Sequence, residues 1–388
     1  MFDWLRRRGD RRKKARRAVP RPLAHGISVF GPFSAPTGIG EAVRRTALVV
    51  GAAGIPSACH ADGDHPEGLR AFATAEPAYD TAILFNSPSA RLGRIARQLA
   101  DRRRIGIWYW ELPVFPPAWA APAAAVDEVW APTRFIAGAV EAATRLPVRL
   151  VPHAATMEPA DRDAARDSLG LPRSRRIVLT VFDLGVRMTR KNPDAVLRAF
   201  ADAFPPGSDA PLLLVKYHQG YRRTDQDEVD ATLARIAAAP NVRVIDRSVS
   251  QDEMRIICSA ADAFISLHRS EGFGFNIFDM MTIGRTCIAT NFSGNVDFMS
   301  AGNSIPIPWT MRAVGGDEYP YGHGQWWAEP DHDAAVAALR FVGTASDSEL
   351  AALGARARAD TLRDFSVERV AGIVRAIWDG MPVKEPQP

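Results

Sequence analysis

Past residue 24 the chain alternates short apolar runs with helix-patterned segments, and it does so twice, with a polar break between the two series. In the first series, strands are predicted at Gly26–Gly31 (GISVFG), Ser57–His60, Thr81–Phe85, Ile105–Trp110, Glu128–Ala131 and Val148–Pro152. Helices are predicted over Glu41–Gly54 and Ala90–Ala100. Strands interleaved with helices pair in parallel through right-handed crossovers. At roughly 153–175, Pro, Asp and Arg replace strand character, as suits an inter-domain connector. The alternation then restarts, with strands at Ile177–Phe182, Leu212–Lys216, Val242–Ile245, Ala263–Leu267 and Thr286–Thr290. Helices are expected over Pro193–Phe204, Asp227–Ala238, Gln251–Ala260 and Phe275–Ile283. The expected fold is α/β, with two doubly wound parallel-sheet domains facing across a cleft, spanning 22–160 and 161–365. A length of 388 residues accommodates two such units. Ligands in such sheets bind at the carboxyl ends of strands.

Charge is unevenly spread. Residues 1–21 hold ten cations against Asp3 and Asp10, so this arm carries +8 while the whole chain carries +4. The body is therefore acidic, and the basic balance belongs to a tail rather than to a nucleic-acid-binding face. Phe2, Trp4 and Leu5 precede the cations. That pairing suits peripheral contact with an anionic membrane, and a solvated tail is the alternative. Three cysteines, Cys59, Cys258 and Cys287, form no CxxC pair and fit reduced thiols in a cytoplasmic protein. No apolar run is long enough to span a bilayer.

The most informative stretch is His268–Ile283, HRSEGFGFNIFDMMTI. A predicted strand runs into a loop holding Gly272 and Gly274, and a helix starts near Phe275. Backbone N–H groups at such a helix start, reached through a glycine loop, bind an anion without side-chain charge. Glu271 lies in that loop and Asp279 one turn into the helix. Carboxylates accept hydrogen bonds from sugar hydroxyls and make poor neighbours for phosphate, so the pattern suits a ligand with both parts. Lys191 follows the strand Ile177–Phe182 through a loop that also carries Arg187 and Arg190. The chain has five lysines against 43 arginines, and only Lys191 and Lys216 lie inside the predicted body. A lysine kept in such a chain points to a site needing a compact ammonium. In the first half, Trp108, Tyr109, Trp110 and Glu111 end a strand directed at the cleft, so Glu111 is a candidate acceptor-side base or hydrogen-bonding group. His268 is a candidate contact behind Glu271, and His153 reads as structural.

SEGFGFNIFDMMTIGRTCIATNFSGN resembles the signature of the retaining glycosyltransferases of family 4, the bacterial group 1 glycosyltransferases, which have the GT-B fold. GPFSAPTGIGEAVRR, WYWELPVFPPAWAAPAAAVDEVWAPTRF, FDLGVRMTRKNPDAVLRAF and DFSVERVAGIVRAIW extend the likeness from about Gly31 to about Trp378. The resemblance implies two Rossmann-like domains, with the helix at 366–380 crossing back onto the first. It implies that Glu271 holds a donor-sugar hydroxyl, that Asp279 holds the nucleotide ribose in place of the family's Glu, and that amides around Phe273, Gly274 and Phe275 face the donor. It places Gly38 and Gly40 near the donor phosphate. Lys191 and one arginine would neutralise the diphosphate; Val186 stands at the family's usual arginine position, leaving Arg187 and Arg190 as candidates.

The implied activity is transfer of a hexose or deoxyhexose from a nucleotide diphosphate sugar to a glycan or lipid-linked acceptor, with retention, in surface polysaccharide synthesis. No cofactor or metal is implied. Asp62 and Asp64, flanked by His60 and His65, form an Asp-x-Asp triplet, but the same spacing recurs at Asp161/Asp163, Asp225/Asp227 and Asp331/Asp333, as chance would give. A phosphate loop of the G-x-x-x-x-G-K-[ST] type and a G-x-S-x-G elbow are absent. Two rivals share the architecture: a nucleotide-sugar epimerase and a catalytically silent sugar-binding scaffold.

Overall fold

The structure, a computed structural model, describes residues 23–61, 79–85, 87–184, 187–207, 209–218 and 226–381. The arm at 1–21 and the Asp62, Asp64 and His65 cluster lie outside these residues.

The first sheet contains β1 (Ala24–Gly31), β2 (Ser57–Ala61), β3 (Tyr79–Leu84), β4 (Arg103–Gly106), β5 (Glu128–Ala131) and β6 (Val148–Leu150), ordered β2-β1-β3-β4-β5-β6. The second contains β7 (Ile177–Asp183), β8 (Leu212–His218), β9 (Val242–Ile245), β10 (Ala263–Ser266), β11 (Thr286–Thr290) and β12 (Ile305–Ile307), ordered β12-β11-β10-β7-β8-β9. Every pairing in both sheets is parallel. The second order is that of the Rossmann fold, with its switch point between β7 and β10; the first switches between β1 and β3. At a switch point neighbouring crossovers leave to opposite faces, so a crevice opens beyond the strand ends. The candidate Lys191 and Glu271 segments follow the two strands that flank the second crevice.

β7 and β11 read as near-continuous apolar runs (IVLTVFD, TCIAT) because helices cover both faces of the sheet. The helix Val367–Asp379 returns to the first unit, where Val370, Val374 and Trp378 join Val43, Val49 and Val50 in one core cluster.

The structure departs from the sequence expectation in several places, among them helices at Pro117–Ala123, Arg134–Ala143, Arg162–Ser168 and Asp347–Phe365 that the pattern did not mark. The strand predicted to run to Trp110 ends at Gly106, and 107–111 continue outside the sheet. The first helix begins at Gly38, not Glu41, capped by Thr37. Beyond Thr290 the chain adds β12, an antiparallel hairpin of β13 (Trp309–Ala313) and β14 (Trp326–Pro330), and the helix His332–Thr344, none of which the strand–helix rhythm had marked. The hairpin packs against the first unit: Val314, Trp327 and Ala328 share a core cluster with Trp108, Trp110 and Phe115. Among the described residues, no helix is long and apolar enough to cross a membrane.

Candidate functional site

The turn Ser270–Gly274 is fixed from below. Glu271 N–H donates to Ser293 Oγ at 2.8 Å, and Gly294 N–H donates to the Glu271 carbonyl at 2.9 Å. Ser293 holds a left-handed φ of 68°, and a Cβ on Gly294 would stand 2.1 Å from the Gly272 carbonyl, so the Ser-Gly pair is what lets the two turns nest. Gly274, at φ 92°, starts the helix Phe275–Thr282 in a conformation that side chains resist. Gly272 faces the first unit: a Cβ there would lie in ordinary contact with Ile136 and Tyr109, at 3.4 and 3.5 Å. Thr133 Oγ1 donates to its carbonyl across the cleft at 2.9 Å.

This turn carries the Glu271 carboxylate between two cations. Lys191 Nζ lies 2.5 Å from Oε1, and an Arg190 guanidinium nitrogen lies 3.2 Å from Oε2. Arg190 also donates to the Ser270 carbonyl at 2.8 Å and lies 4.0 Å from Glu111. Burial pushes the Glu271 carboxyl up, but Lys191 and Arg190 outweigh it and hold it at about 2. Arg190 is buried in the crevice wall. Arg187, the other candidate, caps the short helix Met188–Lys191 and lies outside the cavity wall, so of the two only Arg190 stands in the site.

The cavity between the units measures about 990 Å³. Its wall includes Gly38, Glu111, Lys191, Lys216, Glu271 and Asp279, together with the segment Gly272–Phe275. The structure thus brings together most of the sequence candidates from strand ends on both sides. Lys216, 4% exposed, donates to the Tyr217 carbonyl at 3.0 Å, and burial lowers its pKa. Gly40 is not in the wall; a Cβ there would meet the Ala35 carbonyl at 2.1 Å, so its small size serves loop packing. His268 is wholly buried outside the wall, and burial lowers its pKa to about 4, so it is a neutral interior group. His153 is buried too, 2.5 Å from the Tyr109 hydroxyl and held at about 3 by burial and by Arg45.

Asp279 meets a partner the sequence did not announce. One nitrogen of Arg45, from the first unit, donates to both its oxygens at 2.7 and 2.9 Å. Arg45 also donates to Glu41 at 2.6 Å and to the Ala154 carbonyl at 3.1 Å. Burial raises the Asp279 carboxyl despite Arg45. The i, i+4 spacing of Glu41 and Arg45 reads as an ordinary exposed helix pair; burial by the other unit hides its role. Tyr319 was also missed: its hydroxyl donates to Glu111, 208 residues away, from a hairpin the pattern did not show.

Residues 161–306 match the family model described as glycosyl transferases group 1. No curated protein matches the chain. Among solved structures it is similar to sucrose-phosphate synthase from Thermosynechococcus elongatus, at 16% identity and a TM-score of 0.67, over 92% of this chain and 98% of that one. It is similar to Anabaena HepE, solved in complex with UDP and glucose, at 13% identity and a TM-score of 0.69, over 92% and 100% of the two chains. A glycosyltransferase from Rickettsia africae matches at 12% identity and a TM-score of 0.60, over 92% and 98%. The chain therefore has the GT-B fold, two Rossmann-like domains facing across a cleft, and its second domain carries the group 1 glycosyl transferase pattern.

Proposed function

We propose that the protein is a retaining glycosyltransferase that takes a hexose or deoxyhexose from a nucleotide diphosphate sugar and passes it to a glycan or lipid-linked acceptor. The observation that carries the reading is the Lys191–Glu271–Arg190 cluster, two cations and a carboxylate beside a glycine-turn helix start at the switch point of the second sheet. The cations and the helix amides suit a diphosphate, and Glu271 suits a hydroxyl of the donor sugar. HepE, a structural neighbour, was solved with UDP-glucose, which supports a donor of that class.

Negative charge grows on the diphosphate as the glycosidic bond breaks. Lys191 and Arg190 are fixed beforehand and need no reorganisation to meet it. The departing diphosphate oxygen takes the acceptor proton on the face from which the sugar leaves, which keeps the anomeric configuration without a covalent nucleophile. Asp279 holds the ribose, and Lys216 adds positive charge to the wall.

Calorimetric titration with UDP, GDP, dTDP and their sugars, followed by anomeric analysis of the product, tests the reading. Failure of every nucleotide to bind would overturn it, an inverted product would overturn retention, and an epimerised donor would install the rival enzyme.

A further inference from the structure

A second cavity, of about 260 Å³, adjoins the first. The two share Ile39, Tyr109 and Glu111, so Glu111 stands at their junction. The smaller one is walled by Trp110 and Trp119 of the first domain and by Tyr319 of the second. The rings are held at fixed angles. Trp110 and Trp119 pack edge to face at 5.2 Å, and Tyr319 lies 5.7 Å from Trp110. Trp110 Nε1 donates to the Val114 carbonyl at 2.8 Å, which fixes that ring to its own loop. The segment joining β13 to β14 is pinned there twice: Val114 N–H donates to Gln325 Oε1 at 3.0 Å, and Tyr319 O–H donates to Glu111.

We infer that this aromatic cavity is the acceptor subsite, that it takes a neutral pyranose ring at the end of a glycan acceptor, and that the second domain completes it through the β13–β14 hairpin. The inference rests on the transferase reading. Flat aromatic walls offer electron-rich faces to the weakly positive C–H face of a pyranose. The Glu111 carboxylate at the junction accepts a ring hydroxyl and leaves it directed into the larger cavity, where the donor sugar would stand. An alkyl chain in the same space would strip water from Glu111 and give it no hydrogen bond, which is costly. The walls are fixed before the ligand arrives, so little ordering is lost on binding.

The test uses the full chain, with and without saturating UDP, and saturation-transfer NMR against methyl α-glucopyranoside, methyl α-galactopyranoside and methyl α-mannopyranoside, with 1-hexanol as competitor. At least one pyranoside should bind saturably, with the C–H protons of one ring face most strongly saturated. Trp119→Ala should weaken it about tenfold or more, while Trp119→Phe, which keeps an aromatic face, retains most of the binding. Trp119 is partly exposed, and UDP calorimetry with melting curves reports whether each variant is folded. Absence of pyranoside binding, equal binding to Trp119→Ala, or displacement by hexanol would overturn the subsite. Loss of UDP binding in the wild type, with pyranoside binding intact, would instead overturn the transferase reading.

Discussion

Glu271→Gln keeps the shape of the side chain and removes its charge, leaving Lys191 and Arg190 facing one another beside a neutral amide. Removing one partner of a buried ion pair costs roughly 3–5 kcal/mol. Arg190 keeps the Ser270 carbonyl and has Glu111 at 4.0 Å, and Lys191 is 18% exposed, so the low end, about 3 kcal/mol, applies. The pH linkage agrees: a carboxyl held at about 2 rather than 4.5 corresponds to about 3 kcal/mol, present in full above pH 4.5 and lost as pH falls toward 2. For a domain of this size each kcal/mol moves the melting point about 2–4 °C, so the variant should melt about 6–12 °C lower. UDP brings a diphosphate to the orphaned cations, so it should raise the melting point of the variant more than that of the wild type. Differential scanning calorimetry across a UDP series measures both effects. A melting point within 2 °C of wild type would show that Glu271 does not hold these cations in solution, and a smaller UDP response in the variant would refute the diphosphate assignment. Sugar transfer should fall by about 10²-fold, as expected for a lost transition-state contact.

Asp279→Asn should weaken UDP binding by about 1.5–3 kcal/mol, and unchanged calorimetric affinity would remove Asp279 from the ribose site. Because the proposed diphosphate partners are Lys191 and Arg190, transfer should survive EDTA; loss reversed by added Mn²⁺ would assign the charge to a metal instead. His268 and His153, lowered to about 4 and 3 by burial, favour the fold in full above the usual 6.5 and lose that contribution as pH falls. Urea melts at pH 7.5 and 5.5 should therefore differ by about 1.4 kcal/mol per histidine, and a His268→Asn variant with an unchanged pH slope would contradict this. Deleting residues 1–21 should leave UDP affinity intact and reduce binding to phosphatidylserine vesicles, the residual binding losing its salt dependence; unchanged vesicle binding would leave the arm a solvated tail.

What the sequence disclosed follows the range of the interactions involved. The strand–helix alternation is local, so the parallel sheets could be anticipated from 24 to 290. Glu271, Gly272 and Gly274 sit in one short segment and announce a turn into a helix. Lys191 stood out because the chain otherwise uses arginine. Choosing Arg190 over Arg187 needed the wall of the cavity, since three residues of spacing do not decide which side chain turns inward. Gly40 looked like a phosphate-loop glycine and answers instead to the Ala35 carbonyl. Arg45 and Tyr319 were illegible for one shared reason: each meets its carboxylate across the cleft, 234 and 208 residues away, and no local pattern encodes such a partner. The hairpin escaped notice because its tryptophans pack on the other domain, so alternation along β13 and β14 does not follow a sheet of their own.

Asp279 stands where the family resemblance leads one to expect the longer Glu. A carboxylate offers about four acceptor sites, two on each oxygen. Arg45 takes one on each through a single nitrogen, at 2.7 and 2.9 Å, so one site per oxygen remains for a ligand. Two vicinal ribose hydroxyls need that number. Arg45 in turn is held by Glu41 of its own helix, so one guanidinium joins a carboxylate from each domain. The proposed ribose contact and the ionic contact between the domains thus use the same carboxylate, whereas at the other end of the cleft the hairpin packs on Trp108 and Trp110 through apolar contact. Salt screens the ionic end more than the apolar end, although burial of Arg45 limits that screening. Donor affinity should therefore depend on Arg45 as well as on Asp279, even though Arg45 lies outside residues 161–306, the span that matches the family model; unchanged UDP affinity of Arg45→Gln by calorimetry would contradict this.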